Sequence, residues 1–196
     1  MTILFNPDAT FVYSYHNNIL QGEKMKDIDV IEYLPKIITE LKQGILLNTK
    51  SKDKINSMTI AWGQIGIEWR KLIFTAYVRH SRFTHQQIEE SKEFTVSVPL
   101  DRTPVKEAIA YCGTKCGKDI NKLSDMNLTV LDGIKVNSPA IKELPLTLEC
   151  KVIYQKEQDK NNIPKDVIEM FYPDNPLNNG DYHTVYYGEI VRAYII

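Results

Sequence analysis

The segment Asn56-Ser57-Met58-Thr59-Ile60-Ala61-Trp62-Gly63 gathers polar and small residues where the surrounding texture calls for a half-buried strand. A ligand lying along that strand would account for the mixture. A flat heteroaromatic ring with hydrogen-bonding groups on one edge suits backbone amides plus Asn56 or Thr59, with Met58 or Trp62 against its face. The same residues also suit a strand with one polar face and a core tryptophan.

A second candidate is Arg79-His80-Ser81-Arg82-Phe83-Thr84, placed between a strand and a helix start. Arginine gives charge-assisted bonds to phosphate oxygens, the Ser81 and Thr84 hydroxyls add neutral donors, and free amides at the helix N-terminus supply more. A solvated loop with Thr84 as helix cap is the alternative.

The third candidate is Tyr111-Cys112-Gly113-Thr114-Lys115-Cys116-Gly117-Lys118-Asp119. Its two glycines permit close backbone approach and its two lysines offer cations; a plain interhelical turn also fits. Nothing near Cys112 or Cys116 marks a thiol with lowered pKa. His183, at the start of the last strand, could hydrogen-bond a ligand or move a proton near neutral pH, or be an ordinary strand-end histidine. No Ser/His/Asp order, metal-ligand spacing or paired-carboxylate signature rises above chance, and no G-x-G-x-x-G or Walker loop is present in the sequence.

Elements must hold these groups in place. The opening segment through Glu23 has no steady period and reads as an irregular extension with one short strand around Phe11 to Tyr15. From Asp27, the residues Ile28, Ile31, Leu34, Ile37, Ile38 and Leu41 recur at helical spacing, with Pro35 inside and Gly44 at the end, so a short or broken helix is expected. Brief β-rich runs follow at Ile45 to Thr49, Ser57 to Trp62, Ile65 to Trp69 and Leu72 to Val78, suggesting an antiparallel meander. Thr84 to Ser91 reads as a helix, Phe94 to Val98 as a strand, Thr103 to Tyr111 as a helix with Pro104 first, and Lys118 to Ser124 as another beyond a Cys112 to Gly117 turn. Ala140 to Leu144, Leu146 to Gln155 and Tyr182 to Tyr194 are the late strands, with one short helix expected between Lys156 and Gly180. Strands without alternating helices argue for a mainly β, closed or nearly closed barrel with flanking helices.

With 196 residues, one domain is expected, and 24 Lys plus Arg against 25 Asp plus Glu leave no field to draw the chain to nucleic acid. Three cysteines without a zinc-type cluster suit a reduced, cytoplasmic setting. Met1 to Thr10 carry no basic, apolar leader, and no run of apolar residues suffices for a membrane span, so neither export nor a membrane is expected.

In order along the chain, Asn56-x-Met58-Thr59-x-x-Trp62-Gly63, Tyr77-Val78-Arg79-x-Ser81-Arg82-x-Thr84, Glu93-Phe94-Thr95-Val96-Ser97-Val98-Pro99 and Tyr111-Cys112-Gly113 through Gly117-x-Asp119 resemble the flavin reductase-like, FMN-binding split-barrel family. The resemblance, of flavoredoxin type, continues through Leu144-Pro145-Leu146-x-Leu148-Glu149-Cys150 and the strand from Tyr182 to Val191. It implies a six-stranded antiparallel Greek-key barrel, formed by residues 44–196, with residues 1–43 an extension and helix packed on it. It further implies a homodimer with one FMN per subunit near the interface.

By the same resemblance, Asn56, Met58, Thr59, Ala61 and Trp62 would line the flavin ring and ribityl chain. Arg79, Ser81, Arg82 and Thr84 would hold the ribityl and phosphate groups, with Lys118 and His183 as further contacts. The implied activity is transfer of hydride from NADH or NADPH to bound FMN and onward to free flavin, an acceptor protein or another acceptor. The alternatives are an FMN-carrying electron-transfer protein or flavin store without its own nicotinamide oxidation, and a split barrel that has lost its flavin.

Overall fold

A computed structural model describes residues 17–20, 23–173 and 181–196; the strand expected around Phe11 to Tyr15 lies outside them. Asn17–Leu20 (β1) and Glu23–Asp27 (β2) pair as a hairpin where sequence alone suggests irregular chain. What holds β2 is distant in sequence: Tyr194 and Ile195 pair with it, and Arg192 sits 2.8 Å from Asp27. A local pattern cannot show such a partner.

Val30–Gln43 (α1) is one unbroken helix despite Pro35. Asp29 caps its start by accepting from the Ile31 amide at 2.9 Å, and Gly44 closes its end at φ 99°, where glycine carries no steric penalty. The proline removes one early backbone bond, and the buried stripe of Val30, Ile37 and Leu41 holds the helix on the barrel regardless.

Ile45–Ser51 (β3) and Lys54–Ile60 (β4) form one hairpin, and Gly63–Glu68 (β5) and Lys71–Arg79 (β6) a second. They do not make the expected meander. Phe83–Ser91 (α2) leads to Glu93–Val98 (β7), and a 3-10 turn at Thr103–Val105 opens into Lys106–Thr114 (α3). Then come Lys122–Asp125 (α4), the short pair Val130–Leu131 (β8) and Ala140–Ile141 (β9), Leu146–Glu157 (β10), Lys165–Phe171 (α5) and His183–Ile195 (β11).

Hydrogen bonding runs β4-β3-β7-β10-β11-β6, six strands, every neighbour antiparallel. β5 continues the path beyond β6, and β11 turns its far end to β2. Among the described residues β4 and β5 are not paired with each other, so the barrel is split there. The architecture is a mostly antiparallel barrel-like sheet with flanking helices, as expected.

β3 shows why the chain reads as it does. Ile45 and Leu47 enter the barrel core with Phe74, Phe94 and Val96, while Leu46 meets Ile109 and Leu123 under α3 and α4. A strand covered on both faces must be apolar throughout its length. Two register shifts bend β10 against β11, and a Cβ at Gly188 would lie 2.5 Å from the Phe94 ring, so only glycine admits that ring. Among the described residues no helix is long and apolar enough to cross a membrane.

Three further differences concern the chain around the second and third motifs. Thr84 is not a cap: it lies inside α2, fully buried, and its hydroxyl accepts from Asn56 Nδ2 at 2.8 Å. α3 runs on through Cys112 and Gly113 to Thr114, because a bare glycine lets it close on Thr59. Lys118 to Asn121 is not helical; α4 starts only at Lys122, where Asn121 accepts from the Ser124 amide at 3.2 Å.

Candidate functional site

The split between β4 and β5 opens onto a cleft. β4 pairs only with β3 among the described residues, so its outer backbone edge stays available to a ligand. One part of the cleft, about 170 Å³, is walled by Met58, Thr59, Ala61, Trp62, Tyr77, Arg79, Arg82 and His183. A second part, about 80 Å³, lies between Asn56, Ser81, Arg82, Thr84, Gly113, Gly117 and Lys122. Met58, Thr59 and Arg82 line both, which makes them one continuous groove.

The polarity of β4 divides between two tasks. Ser57 donates to Asn48 Oδ1 at 2.5 Å, and Asn48 Nδ2 donates to the Thr95 and Ser97 hydroxyls at 3.0 and 2.9 Å, a buried network that joins β3, β4 and β7. Asn56, Met58 and Thr59 turn toward the cleft instead. Thr59 is anchored by donating to the Ile109 carbonyl of α3, and Asn56 by its bond to Thr84. Asn56 Oδ1 is buried and has no hydrogen-bond partner among the described residues, which costs free energy until a donor arrives.

Arg79 reaches the cleft, but its guanidinium is engaged: it donates to the carbonyls of Asp181 and Phe171 at 3.0 and 2.9 Å and lies 5.1 Å over the Tyr172 ring. It ties α5 and the start of β11 to β6. Ser81 is likewise held, its amide and hydroxyl both donating to the Asp181 carboxylate at 2.9 and 2.6 Å. Arg82 differs. It is exposed, and among the described residues its guanidinium has neither hydrogen bond nor ion pair. As N-cap of α2 it supplies no side-chain cap; the His85 amide donates to the Arg82 carbonyl at 2.9 Å, which leaves the Phe83 and Thr84 amides, among the described residues, open toward an anion.

Trp62 stands in the turn at the split, 5.1 Å from the His183 ring and edge-on to Phe171 at 5.2 Å. His183 is buried, with Nδ1 at 3.0 Å from the Tyr172 hydroxyl. Burial, and then the nearby Arg79 cation, push its pKa down to about 4, so the ring is neutral at pH 7. It offers the cleft an uncharged hydrogen-bonding edge rather than a proton.

Lys118 is not among the residues lining the groove; Lys122 stands there instead. Its ammonium is buried, donates to the carbonyls of Cys112 and Lys115 at 3.2 Å each, and has no carboxylate beside it among the described residues. Burial lowers its pKa. Asn121 carried the overlooked signal, since an Asn cap starts the helix one residue later, at Lys122, and turns that residue inward. Gly113 and Gly117 complete this end: a Cβ at Gly117 would sit 2.0 Å from Asn56 Oδ1. Cys112 also faces the groove, and burial raises its thiol pKa, which keeps it protonated and poor as a nucleophile.

A model of the flavin reductase like domain matches residues 41–196. The chain belongs to that family. An uncharacterized protein of Archaeoglobus fulgidus is 31% identical over 130 residues, 66% of this chain and 68% of its own. Among solved structures, the flavoredoxin of Desulfovibrio vulgaris (Miyazaki F) superposes with a TM-score of 0.61 at 23% identity, covering 78% of this chain and 69% of that one. An FMN-binding domain of a flavin reductases-like enzyme from Shewanella baltica gives 0.59 at 18% identity, covering 91% of this chain and 78% of that one. At these identities the likeness to the two structures is one of fold.

Proposed function

We propose that the groove binds FMN and that the protein is a flavin reductase which accepts hydride from NADH or NADPH. One observation carries the reading. A buried lysine with no carboxylate beside it among the described residues ends a groove whose other end is walled by Met58 and Trp62 along a strand edge that no described strand pairs. Charge at one end and a flat apolar wall with free amides at the other suit a phosphorylated flavin.

The residues fit such a group. Asn56 Oδ1 would accept from a ribityl hydroxyl, which supplies that donor. Lys122, Arg82 and the Phe83 and Thr84 amides of α2 would hold the phosphate, with Gly117 leaving the space. Thr59 and the β4 edge would meet the ring's polar rim, Met58 its face, and neutral His183 its polar atoms without adding charge. Arg79 and Ser81 act at one remove, by fixing the Asp181 loop and α5 around Trp62. FMN, when bound, supplies reversible two-electron chemistry, and the chain's tasks are to orient it, exclude water from one face and set its potential.

The test is the visible spectrum of the full chain titrated with FMN, followed by anaerobic NADH and, separately, NADPH. Binding with bleaching by either nucleotide is the expected result. Binding with bleaching by dithionite alone would replace the reductase with an electron carrier, and absence of binding would sink both readings.

A further inference from the structure

On the opposite side of β11 from His183, three segments bring His80, His85 and Glu157 together, with one potential ligand atom from each lying within 4.8 Å of the others. We propose that these three side chains form a binding site for one divalent transition-metal ion of the zinc, cobalt or nickel type. His80 lies in the turn after β6, His85 in the first turn of α2 and Glu157 at the end of β10. Sequence spacing is silent about them because His80 and Glu157 lie 77 positions apart in the chain.

The geometry is that of a site needing small adjustment. His80 Nε2 already meets Glu157 Oε2, and the two imidazoles lie edge to face with centroids 5.2 Å apart. A metal bound at about 2.0–2.2 Å from each ligand needs them about 3–3.5 Å apart, so the exposed His80 and Glu157 close the remaining distance by side-chain rotation. The supporting shell is in place. The Thr184 hydroxyl, fully buried on β11, donates to Glu157 Oε1 at 2.7 Å and lies 2.9 Å from His85 Nε2. A hydroxyl that orients both a carboxylate and an imidazole does what outer-shell partners do around metals.

Two imidazoles and one carboxylate select a borderline ion over magnesium or calcium, which take oxygen ligands. Three protein ligands, two of them exposed and His85 partly so, leave the remaining positions to water. The ion would clasp the turn carrying Ser81 and Arg82 to the joined ends of β10 and β11. None of its ligands lines the groove, so its uptake can be read on the flavin-free chain.

The test uses the untagged full chain, freed of metal by chelator and of flavin by gel filtration, titrated calorimetrically with zinc and, for its visible spectrum, with cobalt. The expected result is uptake of one equivalent, none of magnesium, and an affinity loss of roughly tenfold or more in both His80→Ala and Glu157→Gln. These are surface changes, and Cys116→Ser should leave uptake unaltered. No uptake by the wild type would overturn the proposal, as would uptake indifferent to both variants or abolished by Cys116→Ser.

Discussion

Gly117 is the residue at which backbone and cleft are most tightly bound together. Its φ lies outside the left-handed region, so alanine is tolerated by the backbone, yet the added methyl would meet Asn56 Oδ1 at 2.0 Å and Lys122 Cε at 3.1 Å. Gly117→Ala should therefore weaken FMN binding about tenfold, or roughly 1.4 kcal/mol, while lowering stability little. Fluorescence titration beside a thermal melt checks this. Unchanged affinity would mean that Asn56 and Lys122 do not hold the ligand. At this scale the sequence was legible for residues whose neighbours are local. The Arg79 to Thr84 motif does lie between a strand and a helix, but whether a given arginine is free depends on Asp181 and Phe171, about a hundred residues away.

Among the elements, α1 is held at its C-terminus by a side chain from beyond β7. Arg102 donates to Glu40 Oε2 at 2.7 Å and to the carbonyls of Glu40 and Gly44 at 3.0 and 2.8 Å, so one guanidinium caps the helix and pairs its buried acid. Burial pushes the Glu40 carboxyl up, but hydrogen bonds from Lys36 and Arg102 outweigh it, and the net pKa is lowered. Arg102→Ala should cost about 2–3 kcal/mol at neutral pH, measured by denaturant unfolding. A depressed folded-state carboxyl contributes fully above its unfolded pKa, and that contribution disappears as pH falls through the folded value. The gap between wild type and variant should accordingly narrow in acid; a gap constant with pH would show that the capping bonds alone matter. The helix was legible from its apolar spacing, whereas its continuity past Pro35 depends on burial against the barrel, which local propensity does not contain.

In the whole molecule, the strands were legible as strands because their alternation and punctuation are local, and their partners were not. β4 and β5 are adjacent in sequence and unpaired in space, and that break in an otherwise continuous ladder creates the groove. Lys118 and Lys122 show the same limit: both are cations in one polar stretch, and only the start of α4 decides which is buried. The central claim is that this groove holds a flavin by its phosphate as well as its ring. It is tested most directly by comparing FMN with riboflavin at equilibrium, in the wild type and in Lys122→Met. FMN should bind the wild type about tenfold to a hundredfold more tightly than riboflavin, as charge-assisted bonds to a phosphate imply. The variant should lose most of that preference and keep its riboflavin affinity. Equal binding of the two flavins by the wild type would contradict the account.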